Sequence, residues 1–345
     1  MILSFLQAKD LSKLAQVSHY WNQLADDSIL WKKLCLKNRI KDLSTKPVTT
    51  TTTTPSTSSN ILLLSEHDKN FYKNLYVYDY NLTLNWRTRS LPKPLVLRGH
   101  DDHVITCLKF DGTRIVSGSD DCTLKVWCCQ TGKLLQTLVG HTGGVWSSQL
   151  KDNLLISGST DRTVRVWRID TGECVFILLG HTSTVRCLAL HDNIVVSGSR
   201  DATLRVWNIE TGKCVNILRG HGAAVRCVCF DGNYIISGSY DFTIRVWKVN
   251  SREALHTLEG HINRVYSLLF DGKRIISGSL DTTIIVWNVE TGAIIHKLLG
   301  HQSLTSGMQI KGDTLVSGNA DSSVKIWSLR TGECLHTLNG KLRCI

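Results

Sequence analysis

Short stretches that alternate apolar and polar residues fill the chain from about residue 93 onward, with turn residues between them. In one representative unit, VWSSQL, NLLISGS, TVRVWRI and CVFILLG follow one another. Asp-Gly and Thr-Gly pairs mark many of the joins. Runs of this length that are rich in Val, Ile, Thr and Trp predict β-strands. The pattern therefore predicts four short strands per unit.

The unit is repeated. Six tryptophans lie 40 residues apart, at Trp127, Trp167, Trp207, Trp247, Trp287 and Trp327. A Gly-His pair opens each unit, at His100, His141, His181, His221, His261 and His301. Four strands per repeat with these two markers are typical of a propeller blade. We therefore predict a mainly β fold, a β-propeller of six blades over residues 93–340, followed by a tail at 341–345.

The chain before the repeats has a different pattern. Residues 1–43 carry apolar side chains at helical spacing, and Asp10 and Asp27 are candidate N-caps for two helices. The polar run over 44–60, STKPVTTTTTTPSTSSN, has too few apolar residues to offset the cost of ordering, so we predict a disordered insert. Residues 61–92 are predicted to be a linker with a short helix around 66–76.

Every repeat contains one His, one Ser, one Asp and one Trp at matching positions. The second and third sets are His141, Ser157, Asp161, Trp167 and His181, Ser197, Asp201, Trp207. A nucleophilic triad is one interpretation of such residues. The other is a buried chain of hydrogen bonds, in which Asp accepts from His, His meets Ser and Ser meets the Trp N–H. Six identical active sites make little sense in one chain, whereas six identical braces do.

Two positions change in character from one repeat to the next, which makes them candidates for recognition. The first lies five residues after each His, at Ile105, Trp146, Arg186, Arg226, Tyr266 and Ser306. The second directly precedes each turn Asp, at Asp120, Thr160, Arg200, Tyr240, Leu280 and Ala320. Both are predicted to lie on one rim of the central channel. Arg162 and Thr184 are predicted nearby, and Arg264 is a further candidate for the rim.

Several arginines beside hydroxyl and aromatic groups indicate an anion site. Guanidinium groups bind phosphate oxygens with two parallel hydrogen bonds, and Trp146 offers a flat wall for a proline ring. The alternative is that these arginines are surface charges paired with Asp or Glu. We assign that ordinary role to Arg165, Arg205 and Arg245.

Composition narrows the function classes. The net charge is +11, yet no block of five Lys or Arg occurs, which argues against nucleic-acid binding. The 12 cysteines include no Cys-x-x-Cys pair, so we predict no metal or other cofactor, and free thiols in the nucleus or cytoplasm. No apolar run is long enough to cross a membrane.

The stretches GHTGGVWSSQL, GSTDRTVRVW, GSRDATLRVW and NRVYSL resemble the substrate-binding propeller of one family. This is the F-box/WD-repeat family that includes archipelago and the yeast cell-division-control ubiquitin-ligase receptor. The stretch SFLQAKDLSKLAQVSHYWNQLADDSILWKKLC resembles the later part of an F-box, although a generic helical pair is the alternative.

The resemblance implies a non-catalytic substrate receptor. Its F-box would bind a Skp-type adaptor of a cullin–RING ubiquitin ligase. Its WD-repeat propeller would bind phospho-Thr or phospho-Ser followed by Pro, with a second acidic group farther on, and so promote ubiquitination and proteasomal degradation. By the same resemblance, Arg186, Arg200 and Arg226 would hold the phosphate, Tyr240 and Tyr266 would support the pocket, Trp146 would contact the proline, and Arg162, Thr160 and Thr184 would reach the second acidic group. A scaffold that binds partners regardless of phosphorylation remains the alternative.

Two departures from the family pattern lie near the ends. The F-box lacks its leading Leu-Pro segment, so we expect impaired adaptor binding. The family ring has eight blades and six repeats are present. We predict that PLVLRG (94–99) is a strand with no blade to complete, as expected of a truncated gene model or splice form. An unclosed ring exposes sheet edges, so we expect poor expression and a broad unfolding transition.

Overall fold

The computed structural model describes residues 8–38, 40, 70–88 and 94–339. Two compact units divide between Pro94 and Leu95, one helical and one built of strands. The insert predicted over 44–60 and the tail predicted over 341–345 lie outside the described residues.

The helical unit contains four helices, α1 Ala8–Leu14, α2 His19–Ala25, α3 Ser28–Lys37 and α4 Phe71–Thr88. Asp27 caps α3 as predicted, because its carboxylate accepts the N–H of Ile29 at 2.8 Å. Asp10 lies inside α1 instead of capping it. The apolar pattern that we took for one helix is broken before α2, where the Ser18 hydroxyl accepts the N–H of Trp21 at 3.3 Å.

Helix α4 corrects the prediction of a linker over 61–92. It is an 18-residue helix where the sequence indicated only a short one. Phe71 and Leu75 are buried with Cys35 of α3, and Lys73 Nζ lies 2.5 Å from the carboxylate of Asp26. Only a few apolar residues on one face of α4 make its buried contacts. Because many of its other residues are Tyr and Asn, the helical spacing of these apolar residues is hard to recognise in the sequence.

The strand unit consists of six four-stranded antiparallel sheets, which we call blades 1 to 6. Each uses four consecutive strands, numbered outward from the central channel. Blades 1 to 3 are β1 Ile105–Phe110, β2 Arg114–Ser119, β3 Leu124–Cys128, β4 Leu134–Leu138; β5 Val145–Lys151, β6 Leu154–Ser159, β7 Val164–Arg168, β8 Cys174–Leu178; and β9 Val185–His191, β10 Ile194–Ser199, β11 Leu204–Asn208, β12 Lys213–Leu218. Blades 4 to 6 are β13 Val225–Phe230, β14 Tyr234–Ser239, β15 Ile244–Lys248, β16 Ala254–Leu258; β17 Val265–Phe270, β18 Arg274–Ser279, β19 Ile284–Asn288, β20 Ile294–Leu298; and β21 Thr305–Lys311, β22 Thr314–Asn319, β23 Ser323–Ser328, β24 Cys334–Asn339.

The apolar core lies between successive blades. Trp167 of blade 2, for example, packs in one cluster with Val116, Val126 and Leu138 of blade 1. The innermost strands of consecutive blades also adjoin, from β1 through to β21. Each blade is therefore stabilised mainly by packing on the blade or blades beside it.

The first and last blades each have one uncovered face. Leu108 in β1 is 60% exposed, whereas the equivalent Leu188 in blade 3 is 4% exposed. In β22, Val316 is 38% exposed, whereas Val196 in blade 3 is fully buried. The six blades thus form an open arc. Residues 94–99 pair with no strand of the six blades, as predicted for a segment with no blade to complete; Leu95 and Leu97 lie against the β3–β4 turn of blade 1.

Candidate functional site

A chain of hydrogen bonds links the matched His, Ser, Asp and Trp in each of the six blades. In blade 2, His141 Nδ1 lies 2.7 Å from Asp161 and His141 Nε2 lies 2.7 Å from Ser157 Oγ. The Trp167 N–H donates to the same Ser157 oxygen at 2.8 Å. Since that oxygen already accepts from Trp167, its O–H is available to donate to His141, whose other nitrogen then donates to Asp161.

Blade 3 repeats the arrangement, and the remaining blades follow it. His181 Nδ1 lies 2.8 Å from Asp201, His181 Nε2 lies 2.8 Å from Ser197 Oγ, and the Trp207 N–H donates to Ser197 at 2.8 Å. The equivalent bonds recur in blades 1, 4, 5 and 6. We call each set a tetrad.

The geometry of the tetrads favours bracing over catalysis. Ser157 and Ser197 are fully buried, so a substrate carbonyl has no path to their hydroxyls. Burial raises the pKa of Asp161, but hydrogen bonds from His141 and Thr163 outweigh it and hold the pKa well below its usual range. The carboxylate is therefore ionised and fully engaged inside the blade.

The tetrad also fixes the turn that leads to the rim. The residue after each turn Asp has a positive φ, 71° at Arg162 and 65° at Ala202. The residue before each Asp donates its N–H across the blade, as Arg200 does to the Thr184 carbonyl at 2.9 Å and Tyr240 to that of Ala224 at 2.9 Å. The backbone under the second variable position is consequently the same in every blade.

A β-bulge explains the first variable position. In blade 3, Val185 pairs with Ser199 and Cys187 with Gly198, which leaves Arg186 as the extra residue. The same shift falls at Trp146, Arg226 and Tyr266 in their blades. A bulge redirects the side chain of its extra residue away from the regular alternation. The bulges at the start of the innermost strands thus place these side chains at the mouth of the channel.

Blade 1 departs from the predicted alignment. Its bulge falls at Thr106, between Ile105 and Cys107, so Thr106 and not Ile105 is equivalent to Trp146. The cause is one extra residue in the first Gly-His loop: His100 and Asp121 are 21 residues apart, whereas His141 and Asp161 are 20 apart. Counting from the His therefore misplaced this one position.

Three arginines share one cavity on the rim. A cavity of about 110 Å³ is lined by Arg186, Arg200, Ala224, Val225, Arg226 and Tyr240. Arg186 and Arg226 are bulge residues of adjacent blades, and Arg200 and Tyr240 precede the turn aspartates of the same two blades. The two variable positions of blades 3 and 4 thus converge on a single site.

Among the residues that the structure describes, the three guanidinium groups have no carboxylate partner. Across the described part of the chain, none of Arg186, Arg200 and Arg226 lies in an ion pair. The adjacent Asp201 is unavailable, because it accepts from His181, from Thr203 and from the N–H of Thr182. Burial lowers the pKa of Arg186, and the charges of Arg226 and Arg200 lower it further. The site is an electropositive cavity in which mutual repulsion favours binding of an anion.

Aromatic rings hold the arginines in place. The Arg186 guanidinium lies 3.9 Å from the ring centroid of Trp146, and that of Arg226 lies 5.7 Å from the ring centroid of Tyr266. Tyr266 in turn packs on Tyr240, with 5.4 Å between the ring centroids. Since Arg186 covers one face of Trp146, a proline ring would have to use the other face or the ring edge.

The remaining predicted site residues lie at the same end of blades 2 and 3 but do not line the cavity. Thr160 donates its N–H to Gly144, and Arg162 is exposed in the following turn. Thr184 meets Arg200 through its backbone carbonyl. Their proposed contact with a second acidic group stays a prediction.

The three arginines assigned to ordinary ion pairs behave differently from that expectation. Arg165, Arg205 and Arg245 each stack over the tryptophan of their own blade, with 5.9 Å from guanidinium carbon to ring centroid. In the described ranges none of the three pairs with a carboxylate, and the Nε of each is buried without a partner. The expectation of ion pairs is therefore wrong, and cation–π packing takes their place.

Among the described residues no group of three or more His, Cys, Asp or Glu side chains is placed to hold a metal ion. The cysteines described within the blades are free thiols, and burial raises the pKa of Cys187 to about 12, so that thiol stays protonated at neutral pH. None of the described helices is both long enough and apolar enough to cross a membrane.

Family models match both units. An F-box-like model matches residues 1–37, and the WD domain, G-beta repeat model matches 212–248, 252–288 and 292–328. A model described as the WDR41 β-propeller matches residues 91–217. The F-box-like segment and the repeats thus agree with the resemblance seen in the sequence.

Three curated proteins align with part of the chain. F-box/WD repeat-containing protein 7 of Drosophila melanogaster is 56% identical over 43% of this chain and 11% of its own length. The sel-10 protein of Caenorhabditis elegans is 43% identical over 43% of this chain and 29% of its own, and cell division control protein 4 of Saccharomyces cerevisiae is 35% identical over 42% and 18%. The chain therefore aligns with less than a third of the length of each of these relatives.

A solved structure supports the architecture. The computationally designed Ika8 protein superposes with a TM-score of 0.67 and 38% identity, over 71% of this chain and 77% of that one. The blades, the WD-repeat matches and the F-box-like segment point the same way. The chain thus combines an F-box-like segment with WD repeats, and it is similar to F-box/WD repeat-containing protein 7 and to cell division control protein 4.

Proposed function

We propose that this chain is the substrate-recognition subunit of a Skp–cullin–F-box ubiquitin ligase, and that its rim cavity binds phospho-Thr or phospho-Ser followed by Pro. The single observation that supports the phosphate is the cavity shared by Arg186, Arg200 and Arg226 without a carboxylate. A phosphate dianion can accept hydrogen bonds from several guanidinium groups at once through its three terminal oxygens. A carboxylate has only two oxygens and a smaller charge, so it satisfies fewer of these donors. The subunit would itself catalyse nothing.

The link to ubiquitin transfer comes from relatives. One of them is named as a probable E3 ubiquitin ligase complex SCF subunit sconB, from Arthroderma benhamiae, and is 29% identical over 40% of this chain. On this proposal the propeller holds the substrate while other subunits supply the ligase activity, in the nucleus or cytoplasm. Ubiquitination would then lead to proteasomal degradation.

The helical unit offers a surface for a Skp-type adaptor. Val17, Tyr20 and Ile29 are each more than 60% exposed, and Leu36 is 68% exposed. Several large apolar side chains exposed on a small helical unit are typical of a protein interface. We therefore place the adaptor contact on α2, α3 and the turn before α2.

The test is a titration with a phospho-Thr-Pro peptide and its unphosphorylated twin. We expect affinity in the micromolar range or tighter for the phosphorylated form and at least tenfold weaker binding for the other. Replacement of Arg186, Arg200 and Arg226 together by Ala should abolish the difference, because the phosphate loses every cationic partner.

The chain provides a matched control with the same loss of three charges. Arg165, Arg205 and Arg245 also lie in three consecutive blades, but they stack on tryptophans away from the cavity. Their joint replacement by Ala should leave phosphopeptide binding nearly unchanged, provided that circular dichroism shows a folded protein. Equal binding of both peptides, or equal losses in both triple variants, would refute the phosphate site and favour a scaffold that ignores phosphorylation.

A further inference from the structure

A third position on the rim varies between blades, and it lies two residues before each bulge. Its carbonyl accepts the N–H of the residue before the turn Asp in all six blades, at 2.9 to 3.1 Å. The six residues are Val104, Gly144, Thr184, Ala224, Arg264 and Leu304. The backbone is held in the same way in every blade, yet only Arg264 carries a charge.

Arg264 lies against the wall of the anion cavity. Its guanidinium carbon is 5.0 Å from the ring centroid of Tyr240, which lines the cavity. Its backbone N–H donates to the side-chain oxygen of Asn263 at 2.8 Å, which fixes the loop. A cation over the face of a tyrosine is attracted by the ring, so Tyr240 orients Arg264 beside the cavity. Arg264 belongs to blade 5, and Trp146 on the other side of the site belongs to blade 2.

No acidic side chain neutralises Arg264 within the described ranges. The turn aspartate of its own blade, Asp281, accepts from His261 at 2.8 Å, from Thr283 at 2.7 Å and from the N–H of Ile262 at 3.0 Å. Arg264 itself is exposed to solvent. It is therefore a fourth cation at the rim whose charge is available to a bound molecule.

We propose that Arg264 determines specificity by binding a second anionic group of the phosphorylated ligand, on a residue that precedes the phosphorylated one. This rests on the proposed function, in which the phosphate occupies the arginine cavity and the following proline lies toward Trp146 in blade 2. A peptide that runs in this direction brings its preceding residues to blade 5, where Arg264 lies. A carboxylate and a second phosphate are both suited to the guanidinium, and the two are separated by the test.

The experiment compares phosphopeptides that differ only before the phosphorylated residue. In the first set of peptides, Glu occupies each of the three preceding positions in turn. A second set carries Gln at the same positions, and a third set carries phospho-Ser. Affinities are measured by fluorescence anisotropy at low salt for the natural chain and for Arg264→Gln. We expect the natural chain to prefer Glu over Gln by about threefold at one position, as for an exposed ion pair. Arg264→Gln should lose that preference and still bind the Gln peptide normally.

Arg252→Gln is the matched control, because it also removes one exposed arginine. Arg252 follows the end of β15, where Lys248 pairs with Tyr234, which is the end of blade 4 opposite to the rim. This variant should keep the preference. A larger preference for phospho-Ser than for Glu would identify a doubly phosphorylated ligand, and the reverse would identify an acidic one; either supports the proposal if Arg264→Gln removes it.

The outcomes separate this inference from the proposed function. If no phosphopeptide binds, the proposed function itself fails. If the natural chain binds them but does not distinguish Glu from Gln, or if the preference survives in Arg264→Gln, the role of Arg264 is wrong while the phosphate site stands. A further peptide carries Glu after the proline and Gln before the phosphorylated residue; a preference that depends on Arg264 only for this peptide would overturn the assignment to preceding residues.

Discussion

The tetrads and the rim lie within a few residues of each other in every blade, yet they follow opposite rules. Each tetrad repeats its four residues unchanged in six blades, buried and with every partner inside the blade. The rim changes from Trp146 to Arg186, Arg226 and Tyr266 at one equivalent position, and these side chains meet residues of the next blade. Repetition marks what holds the fold, and variation marks what is free to bind.

The two regions also depend on each other. The turn aspartates hold their negative charge inside the tetrads, so they do not neutralise the neighbouring rim arginines. Asp201 directly follows Arg200 in sequence but is engaged by His181 and Thr203. The hydrogen bonds that engage the turn aspartates therefore both stabilise the blade and leave the positive charge of the cavity without a neutralising partner.

The largest effect is expected when a tetrad loses its tryptophan. Trp207 is 1% exposed and packs in the core between blades 2 and 3. Trp207→Ala should lower the free energy of unfolding by about 3–5 kcal/mol, from lost burial and a cavity. Chemical denaturation measures it. A folded variant with the same midpoint as the natural chain would contradict a structural role for the tetrad.

A single rim arginine should give the opposite result. Arg226→Ala is expected to weaken phosphopeptide binding by about 2–5 kcal/mol, since the phosphate loses a charged partner. The midpoint of denaturation should change little, because the side chain contributes little to the core. Calorimetric titration of the phosphopeptide measures the change in affinity, and chemical denaturation of the same preparation measures the change in stability. Equal losses of binding and stability would show that rim and tetrad are not separable.

Acid should weaken the tetrads before it unfolds the rest. The pKa values of Asp161 and Asp201 lie below that of an unfolded aspartate, so the stability they contribute is present above about pH 4 and is lost as pH falls. Burial also lowers the pKa of His301, although Asp321 opposes this shift. Because the folded chain favours the neutral ring, protonation of His301 also lowers stability as pH falls. Asp201→Asn should flatten the fall in stability between about pH 5 and pH 2, as measured by urea denaturation.

Position in the arc should change the cost of the same mutation. Val196 is fully buried between blades, whereas Val316 is 38% exposed on the last blade. We expect Val196→Ala to cost about 1.5–3 kcal/mol and Val316→Ala clearly less, because only the first removes fully buried surface. Urea denaturation of the two variants tests this. Equal costs would mean that the face of blade 6 is covered in solution.

The smallest effect is expected for the arginines stacked on tryptophan. Arg165→Ala should leave phosphopeptide binding unchanged and reduce stability by about 0.5–1 kcal/mol, the usual value of an accessible cation–π contact. Arg165→Lys should recover part of it. A loss of binding in Arg165→Ala would place this arginine in the site and undo the distinction between the two groups.

The sequence predicts the blades well because their signals are local. The alternation of apolar residues, the Gly-His pair and the Trp spacing each identify a strand or a turn within one repeat. Helix α4 was predicted only as a short helix around 66–76, for the opposite reason: its burial depends on Cys35, which lies 36 residues before Phe71 in the chain. Residues 94–99 were predicted as a strand because a segment before the first repeat usually closes the last blade of such a propeller; here they lie on their own blade without pairing.

The candidate site was located by comparing repeats, which finds variable positions but not their geometry. Trp146 was predicted as a wall for proline, and only coordinates show Arg186 stacked on it. The bulge is equally invisible in composition, so one inserted residue was enough to select Ile105 in place of Thr106. The stacking of Arg165 on Trp167 also requires a spatial view, since an exposed Arg and a stacked Arg look alike in sequence.

The bulge has a further consequence for how such a rim can change. An extra residue that takes no part in the regular pairing can be exchanged without disturbing the ladder beside it. Trp, Arg, Tyr and Ser all occupy this position in neighbouring blades of the same chain. Each blade thus has one position on the rim that can be substituted while its backbone pairing stays the same. The binding specificity of the rim could therefore change by single substitutions, one blade at a time.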